Sequence, residues 1–449
     1  MFRAILVANR GEIAVRVLRT LREMGIRGVA VFSDADRGAP HLAAADEAVP
    51  LGDPEPASSY LDGARIIEAA RRTGAEAIHP GYGFLSESPA FARAVRDAGL
   101  AFVGPSPEAM ARVGNKVAAR RLLQGSDVPV VPGLVDPEPD PERLAAAAAR
   151  IGYPVMLKAA AGGGGKGMRL VRRPEDLPEA ARRGASEAQA AFGDGSIYLE
   201  KALERPRHVE FQVLADGQGR VVHCFERECS IQRRHQKIVE ETPSPALDPA
   251  LRERMGRAAV EVARRAGYQN AGTVEFLLLP DGGFYFLEVN ARLQVEHPIT
   301  EAVTGLDLVR CQVEIAAGLP LPFRQEDLSA RGHALECRIY AEDPASGFAP
   351  SPGRITRLRE PQGPGVRVDS GIAAGFEVPV WYDPILAKVV AHAATRDAAI
   401  ARMERALREY LVEGVATPIP FLLDLLRSEP FRAGRIHTGF VAEHFSDWR

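Results

Sequence analysis

Five polar side chains alternate with apolar ones in the stretch LEVNARLQVEHP, residues 287–298, and they are of types that bind metal ions and anions. They are Glu288, Asn290, Arg292, Gln294 and Glu296. Period-two alternation is typical of a strand with one face in water, and a solvated strand accounts for it. A face with two carboxylates, an amide and a guanidinium is equally suited to be the floor of a reaction site. The alternation by itself leaves both interpretations open.

The stretch TVEFLLLPDGGFYFLEVN predicts a β-hairpin, because Asp281-Gly282 between two apolar runs is a strong signal for a two-residue turn. That turn places Glu275 directly opposite Glu288, and Asn290 opposite Thr273. Like charges opposed in a covered sheet are destabilising, and a cation between them removes the conflict. Carboxylate and amide oxygens suit Mg²⁺ or Mn²⁺, which take further ligands from substrate phosphates. The hairpin favours a metal site, and a protonated or arginine-paired carboxylate is the alternative.

Further along the same face, the side chains change from metal ligands to anion ligands. Arg292 can hold a small oxyanion with two parallel N–H bonds, and Glu296 lies near enough to take a proton from it. A base beside a bound anion indicates that a weak acid is activated. The segment QRRHQK, residues 232–237, adds further positive charge, but a charge run of this kind is usually a solvated face. Taken alone, this segment is predicted to lie on the protein surface.

A glycine-rich run, KAAAGGGGKGM at residues 158–168, predicts a flap over phosphates. Gly162, Gly164 and Gly167 satisfy G-x-G-x-x-G, but MRLVRR follows with strand character where a dinucleotide-binding loop would open a helix. The P-loop pattern fails too, because Gly167 stands where a serine or threonine would bind magnesium. There remains a flap between two strands, flanked by Lys158 and Lys166, whose backbone N–H groups cover phosphates. A hairpin tip without a ligand is the alternative.

The composition favours small molecules and proteins as partners. The 449 residues carry a formal net charge of -3 with a pI near 6.4, which is no electrostatic footprint for nucleic acid. No run of roughly 18 or more apolar residues predicts a membrane span, and the N-terminal apolar run is too short for a signal peptide, so the expected compartment is the cytoplasm. Lysine is rare: there are 6 lysines beside 50 arginines, and five of the six fall between residues 113 and 240.

The elements that must position these side chains fall into three segments. Strand, helix and strand patterns follow one another from ILVA at 5–8 onward, so residues 1–112 are predicted to form a parallel α/β domain. Its first strand ends in NRGE, which does not support nicotinamide or flavin binding. Residues 113–327 read as mixed α and β with hairpins, and residues 328–449 as strands followed by a helix.

Several long motifs resemble, in order, those of the biotin carboxylases of the ATP-grasp superfamily. They are NRGEIAVRVLR, HPGYGFLSE, KAAAGGGGKGMR, RHVEFQVLADGQG, QRRHQK, VEFL, EVNARLQVEHPITE and RGHALECRIYAEDP. The resemblance implies a fold of class α/β and α+β: an N-terminal α/β domain at 1–112, an ATP-grasp domain at 113–327 with a mobile flap at about 131–203, and a C-terminal mixed α+β domain at 328–449. It also implies a ligase that carboxylates biotin with ATP and bicarbonate, through carboxyphosphate.

The resemblance assigns roles to individual residues, motif by motif. The nucleotide ligands that it implies are Lys116, Lys158, Gly164, Gly165, Glu200, Leu203, His208, His235, Glu275 and Glu288. The ligands of two Mg²⁺ or Mn²⁺ ions are Glu275, Glu288 and Asn290. The bicarbonate ligands are Lys237, Arg292, Gln294 and the backbone of Val295. The catalytic residues are Lys237, Arg292, Glu296 as the base that deprotonates bicarbonate, and Arg338 as the group that stabilises the biotin enolate. These roles replace the surface interpretation of QRRHQK.

The resemblance also implies partners. It implies a homodimer that acts with a biotin carboxyl carrier protein and carboxyltransferase subunits, as the first half of an acetyl-CoA or other acyl-CoA carboxylase in fatty acid synthesis. The flap sequence AAAGGGG followed by Lys166 is closer to that of larger acyl-CoA carboxylases, which leaves the acyl acceptor open. None of the seven methionines precedes a lysine, so biotin is expected on another polypeptide or on a part of the protein outside this sequence. The alternatives are a carbamoyl-phosphate-forming ATP-grasp ligase and a noncatalytic assembly subunit.

Overall fold

A computed structural model of the chain describes residues 1–114, 116–134, 136–138, 140–160 and 168–448, with the side chains at 116, 117 and 192 left out of the description. Among these residues, no helix has the length and apolar character needed to cross a membrane.

The first segment is a parallel five-stranded sheet in the order β3-β2-β1-β4-β5, flanked by helices. Its strands are β1 (Ala4–Val7), β2 (Arg27–Ser33), β3 (Glu47–Gly52), β4 (Ala77–His79) and β5 (Ala101–Phe102). Its helices are α1 (Gly11–Glu23), α2 (Pro40–Ala44), α3 (Gly63–Arg72), α4 (Pro89–Asp97) and α5 (Pro107–Val113). All four residues of β1 are buried, as expected for a strand covered on both faces. This confirms the parallel α/β prediction.

A small lobe follows, built on a three-stranded antiparallel sheet in the order β7-β6-β8. Its elements are α6 (Lys116–Leu122), α7 (Pro141–Ile151), β6 (Val155–Ala159), β7 (Arg169–Val171), α8 (Leu177–Phe192) and β8 (Ile197–Lys201). Leu157 of β6 pairs with Arg169 of β7, so the glycine-rich run connects two antiparallel strands, as its sequence predicts. Residues 161–167, and with them the predicted flap glycines Gly164 and Gly165, lie outside the described residues.

The largest element is an eight-stranded antiparallel sheet in the order β13-β12-β9-β10-β11-β14-β21-β19. Its first five strands in chain order are β9 (Arg207–Ala215), β10 (Val221–Arg233), β11 (Gln236–Thr242), β12 (Asn270–Leu278) and β13 (Phe284–Asn290). The helices of this part are α9 (Pro249–Ala266), α10 (His297–Thr304) and α11 (Leu308–Ala316). The remaining three strands come from the C-terminal segment, because β11 pairs with β14. The sheet therefore continues across residue 327, where a domain boundary stays a prediction.

The C-terminal segment adds strands to that sheet and packs helices on it. Its strands are β14 (His333–Tyr340), β15 (Glu342–Asp343), β16 (Ala349–Pro350), β17 (Gly353–Arg354), β18 (Arg357–Arg359), β19 (Val366–Ser370), β20 (Glu377–Val378), β21 (Ile385–Ala393) and β22 (Leu411–Glu413). Its helices are α12 (Arg396–Glu409), α13 (Ile419–Arg427), α14 (Glu429–Arg432) and α15 (Phe440–His444). Apolar residues of α12 and α13 form a buried core against β14 and β21.

The β12–β13 hairpin confirms the predicted residue pairs, but its turn and its strand register near the turn differ from the prediction. Glu275 lies opposite Glu288, and Thr273 opposite Asn290. The turn has three residues instead of the predicted two, because the Leu279 N–H donates to the Gly283 carbonyl at 2.7 Å. This shifts the strand register by one near the turn, where Leu278 pairs with Phe284. A β-bulge between Glu275 and Phe276 then restores the expected pairs.

Candidate active site

Most of the predicted site residues line a single cavity of about 520 Å³. The predicted residues in its wall are Lys158, His208, His235, Lys237, Glu275, Glu288, Asn290, Arg292, Gln294, Val295 and Arg338. The wall is completed by residues of the N-terminal segment, such as Glu12 and Tyr82, and by Tyr382 and Asp383 of the C-terminal segment. All three parts of the chain therefore build the cavity.

Some predicted residues are not in that wall. Glu200 is buried and Leu203 half-buried beside the small lobe, and neither lines the cavity. Glu296 is fully buried behind the wall, in contact with Lys237 and Arg338, which do line it. The side chain of Lys116 is outside the described structure, as are Gly164 and Gly165.

A row of four charged residues crosses four neighbouring strands beneath the cavity. Arg227 of β10 pairs with Glu210 of β9, Glu210 with Glu275 of β12, and Glu275 with Glu288 of β13. Because directly paired residues project from the same face of a sheet, the three glutamates share one face. Arg227, which is fully buried, donates from Nε to Glu210 Oε1 at 2.6 Å and offsets part of this negative charge.

Lys237 offsets a further part of this negative charge. Its Nζ donates to Glu210 at 2.5 Å, to Glu296 at 2.7 Å and to Glu275 at 2.9 Å. Burial alone would lower the pKa of Lys237, but the three carboxylates outweigh it and raise this pKa well above its ordinary value. The surface interpretation is wrong for Lys237, whose side chain is only 12% exposed. A permanently charged ammonium therefore sits among the acids, where an anionic substrate would meet it.

A tight turn just before Gln236 places Lys237 near the start of β11. Arg234 and His235 form a two-residue turn between β10 and β11, and both have positive φ, 49° and 66°. Such conformations cost residues other than glycine free energy on the order of 1 kcal/mol each and are enriched at functional sites. Both side chains are exposed, so the surface interpretation of QRRHQK is correct for the turn itself, while His235 also lines the cavity.

His208 is a further cation beside the row. Its Nε2 lies 3.2 Å from Glu275 Oε2 and 3.7 Å from Glu210 Oε2. Burial would lower the pKa of His208, but Glu275 outweighs this and raises it to about 9. For Glu275, burial works against ionisation, yet Lys237 and His208 lower its pKa to about 2. At neutral pH both groups are charged, so the site presents an imidazolium toward the cavity.

We predict that charged His208 stabilises the fold below pH 6.5 and that this contribution disappears as the pH rises through about 9. The folded state binds the proton more tightly than the unfolded state, where the pKa has its ordinary value of 6.5. The difference between the two pKa values corresponds to about 3 kcal/mol. Thermal unfolding of wild type and His208→Gln, from about pH 6 to about pH 9.5, measures it. The stability gap between the two proteins should shrink with rising pH.

His41→Gln is the matched control for that experiment. His41 is also fully buried, but burial lowers its pKa to about 4, so it stays neutral throughout this pH range. The unfolded chain loses this imidazole proton near pH 6.5, so the gap for His41→Gln should widen slightly up to about pH 7.5 and then stay constant. A gap for His208→Gln that does not shrink above about pH 7.5 would contradict the assignment of charge to His208.

Arg338 and Glu296 form the next pair along the site. Arg338 donates from Nε to Glu240 Oε1 at 2.7 Å and from Nη2 to Glu296 Oε2 at 3.0 Å. Burial alone would lower the pKa of Arg338, but Glu240 and its neighbours raise it well above the ordinary value. Burial raises the pKa of Glu240 to about 7, although Arg338 opposes the shift. Both oxygens of Glu296 thus contact cations, Lys237 on one side and Arg338 on the other.

Arg292 is held in place by groups on both sides. Its Nε donates to Glu87 Oε2 at 2.8 Å, and its Nη1 to Gln294 Oε1 at 3.0 Å. Glu87 also accepts the backbone N–H of Ala291 at 2.8 Å, which fixes the chain just before the arginine. The guanidinium is therefore oriented in advance beside the cavity, as binding of an oxyanion requires.

Lys158, at one part of the cavity wall, comes from the small lobe. Glu200 of β8 accepts hydrogen bonds from Lys158 of β6 and from Arg120 of α6. Both partners are largely buried, so Glu200 holds Lys158 at the mouth of the cavity. Charge on Lys158 is then available for a phosphate.

The glutamates of β12 and β13 fit a divalent cation. Glu275 and Glu288 project from the same face of paired strands and line the cavity together with Asn290. The Asn290 amide donates to Glu275 Oε1 at 2.8 Å, so the three groups lie within reach of one site. Two carboxylates and an amide oxygen are hard ligands of the kind that Mg²⁺ and Mn²⁺ prefer.

Four residues that contact the predicted site residues do not themselves stand out in the sequence: Glu87, Arg120, Glu210 and Glu240. Glu210 follows His208 by two positions in RHVEFQV, and that spacing is the only signal of a shared face. Its pairing with Glu275 depends on strands 65 residues apart in the chain, which no local pattern indicates. The other three reach the site from separate elements.

Family models match nearly the whole chain. Residues 1–110 match the biotin carboxylase N-terminal domain, residues 115–324 the ATP binding domain of the carbamoyl-phosphate synthase L chain, and residues 336–443 the biotin carboxylase C-terminal domain. The middle model describes an ATP-binding domain that is named for another ligase, whereas both flanking models are named for biotin carboxylase.

Individual relatives agree with these matches. The chain is 53% identical to a pyruvate carboxylase subunit of Methanothermobacter thermautotrophicus over 444 residues, 99% of this chain and 90% of that protein. It is 51% identical to a biotin carboxylase of Halalkalibacterium halodurans over 444 residues, 99% of this chain and 98% of that protein. The dimeric biotin carboxylase domain of Hydrogenobacter thermophilus 2-oxoglutarate carboxylase, solved with MgADP, ADP and bicarbonate, matches with a TM-score of 0.95 at 45% identity, over 99% of this chain and 98% of that one.

Proposed function

The chain belongs to the biotin carboxylase family of ATP-dependent ligases, and from this premise we propose how its residues carboxylate biotin. The reaction joins bicarbonate to a ureido nitrogen of biotin and converts ATP to ADP and phosphate. One observation carries the proposal: the Lys237 ammonium contacts Glu210, Glu275 and Glu296 at the wall of a cavity that also exposes Arg292 and Arg338. The cavity thus offers lysine and arginine side chains that can bind anions, and a buried carboxylate beside them that can act as a base.

The nucleotide occupies the end of the cavity nearest the small lobe in this proposal. Lys158 and His208 supply positive charge to the phosphates there, Glu200 holds Lys158, and His235 approaches from the β10–β11 turn. Lys116, Leu203, Gly164 and Gly165 belong to the same set by resemblance. Glu275, Glu288 and Asn290 would hold Mg²⁺ or Mn²⁺, which neutralises charge on the ATP phosphates.

Bicarbonate binds between Arg292 and Lys237 in this proposal, with Gln294 and the backbone of Val295 as further ligands. The incoming anion competes with Glu296 for the Lys237 ammonium, which lies 2.7 Å from Glu296 Oε1. Release of that contact frees a carboxylate oxygen to take the proton of bicarbonate. The deprotonated oxygen attacks the γ-phosphoryl group of ATP, and ADP leaves. The product is carboxyphosphate.

Biotin enters beside Arg338 in this proposal. Carboxyphosphate breaks down to CO₂ and phosphate, and the phosphate takes the proton from the ureido nitrogen. Negative charge then develops on the ureido oxygen, where the Arg338 guanidinium stabilises it. Glu240 and Glu296 hold that guanidinium in place, so little reorganisation is needed when the charge appears. The nitrogen attacks CO₂ and gives N-carboxybiotin.

The final acceptor and the partners belong to the proposal as well. We infer that biotin arrives on a carrier protein and that carboxyltransferase subunits pass the carboxyl group to acetyl-CoA or another acyl-CoA. Relatives named for pyruvate and 2-oxoglutarate carboxylases support a choice of acceptor made by the partner subunits. The homodimer is proposed from the dimeric relative. Identifying the carboxyltransferase that copurifies with the chain distinguishes among these acceptors.

The test of the reaction is ATP hydrolysis by the purified chain with magnesium. We expect hydrolysis to depend on bicarbonate and to increase when free biotin is added, with carboxybiotin formed from labelled bicarbonate. ATP hydrolysis that does not depend on bicarbonate, or that requires ammonia or an amino acid, would contradict the proposal. It would favour a ligase of the carbamoyl-phosphate type.

A further inference from the structure

Lys388 is the one lysine of the chain that lies outside residues 113–240. The chain uses arginine for 50 of its 56 basic residues, so a retained lysine suggests a place that an arginine does not fill. Lys388 lies on β21 and is fully buried. The reaction described above makes no use of it.

The Lys388 ammonium is surrounded by groups from three parts of the chain. Its Nζ donates to the Val295 carbonyl at 2.9 Å and lies 3.2 Å from Glu12 Oε2 and 4.0 Å from Asp369 Oδ2. The ring centroid of Tyr82 is 5.8 Å away. Glu12 belongs to α1, Asp369 to β19 and Val295 to the loop before α10. A compact ammonium with three rotatable donors serves such a set better than a planar guanidinium does.

The carbonyl of Gln294, the residue before Val295, is also held by a hydrogen bond. His297 Nδ1 lies 2.8 Å from the Gln294 carbonyl oxygen, which can only accept, so Nδ1 carries the proton. Both peptide groups that flank Val295 are thus fixed through their carbonyls. In a trans peptide the N–H points away from the C=O, so fixing these carbonyls sets the directions of the Val295 and Glu296 N–H groups. It also sets where the Glu296 side chain begins.

We propose that Lys388, paired with Glu12, is a positioning residue for the bicarbonate site. Its ammonium holds the Val295 carbonyl and so orients the Val295 backbone and the Glu296 carboxylate toward the anion. The inference rests on the proposed function for the identity of that anion. Lys388 does not line the cavity, and we infer that its effect passes through the 294–296 loop.

The test uses the double variant Lys388→Met/Glu12→Gln. Lys388→Met alone would leave the buried Glu12 carboxylate without its ion-pair partner, and the fold would suffer for that reason. The double change removes both charges and keeps the side-chain sizes similar. We expect a folded protein whose KM for bicarbonate rises about 10-fold or more, the effect of losing one hydrogen bond from a charged donor. Its KM for MgATP should stay within about 2-fold of wild type.

Arg396→Met/Glu241→Gln is the matched control. This pair joins α12 to β11 at 2.7 Å, is largely buried and lies outside the cavity wall. It should alter thermal stability without selectively changing the KM for bicarbonate. A wild-type KM for bicarbonate in the folded Lys388 double variant would overturn the proposal. If the first double variant does not fold, Lys388→Leu/Glu12→Gln, which also lacks an N–H donor at that position, carries the same test.

Amide hydrogen exchange of residues 293–299 in the ligand-free protein separates this proposal from the proposed function. Loss of Lys388 should speed exchange in that segment relative to wild type and to the Arg396 control. Unchanged exchange would overturn the positioning role whatever the reaction is. If wild type shows no bicarbonate-dependent hydrolysis but exchange responds as expected, the proposed function fails while the positioning of the loop by Lys388 stands.

Discussion

Glu288→Gln is expected to reduce bicarbonate-dependent ATP hydrolysis about 1000-fold or more while leaving the protein folded. The change removes one negative charge from the pair of carboxylates that would hold the metal, and an amide is a weaker ligand than a carboxylate. Metal coordination supplies several kcal/mol of stabilisation to a transition state that develops charge on phosphate oxygens. Steady-state hydrolysis at saturating ATP, with magnesium and with manganese, measures the loss.

Glu253→Gln is the control for Glu288→Gln. Glu253 is an exposed residue of α9 that pairs with Arg257 one turn away, so the same chemical change there should leave hydrolysis near the wild-type rate. Rates for Glu288→Gln within about 10-fold of wild type would show that Glu288 is not a metal ligand needed for turnover. The direct pairing of Glu275 with Glu288 would then have a structural role only.

Glu296→Ala is expected to lower the rate of bicarbonate-dependent hydrolysis about 100-fold to 10,000-fold, the range that loss of a general base produces. ATP binding should survive, because Glu296 is fully buried and does not line the cavity. The fold should also survive, since Lys237 keeps Glu210 and Glu275, and Arg338 keeps Glu240. Hydrolysis rates and equilibrium binding of a nonhydrolysable ATP analogue measure the two expectations separately.

Glu240→Gln distinguishes loss of the base from loss of buried charge. Glu240 is as buried as Glu296 and contacts the same arginine, but no hydrogen bond connects it to Lys237 in the described structure. Its loss should cost less than about 10-fold in rate. Wild-type rates in Glu296→Ala would show that the base assignment is wrong, and equal losses in both variants would show that the two carboxylates act only by holding Arg338.

The pairing of Glu275 with Glu288 shows how far local sequence carries a structural prediction. Alternating residues and an Asp-Gly turn are enough to predict the hairpin and these partners. The actual turn is one residue longer, and a bulge at the level of Leu287 compensates. Both deviations depend on how the hairpin packs in the sheet, so no pattern within the hairpin reports them.

Lys237 shows where local sequence fails. A run of basic residues has the same composition on a wet surface and beside a cluster of buried acids. The difference arises because β10 and β11 place Lys237 next to Glu210, Glu275 and Glu296, which come from three other places in the chain. Resemblance to a family identifies Lys237 as a site residue, whereas the acids that surround it follow only from the order of the strands in the sheet.

The sequence by itself therefore determined the elements, the parallel N-terminal sheet, the hairpin of Glu275 and Glu288, and, through long motifs, the family. These depend on periodicity, turn residues and spacing, which act over a few residues at a time. Only the tertiary structure decided which carboxylates surround Lys237 and that Lys388 and Glu12 meet beside Val295. Those contacts join segments tens to hundreds of residues apart, and their charges are stable in the interior only because the whole fold brings opposite charges together.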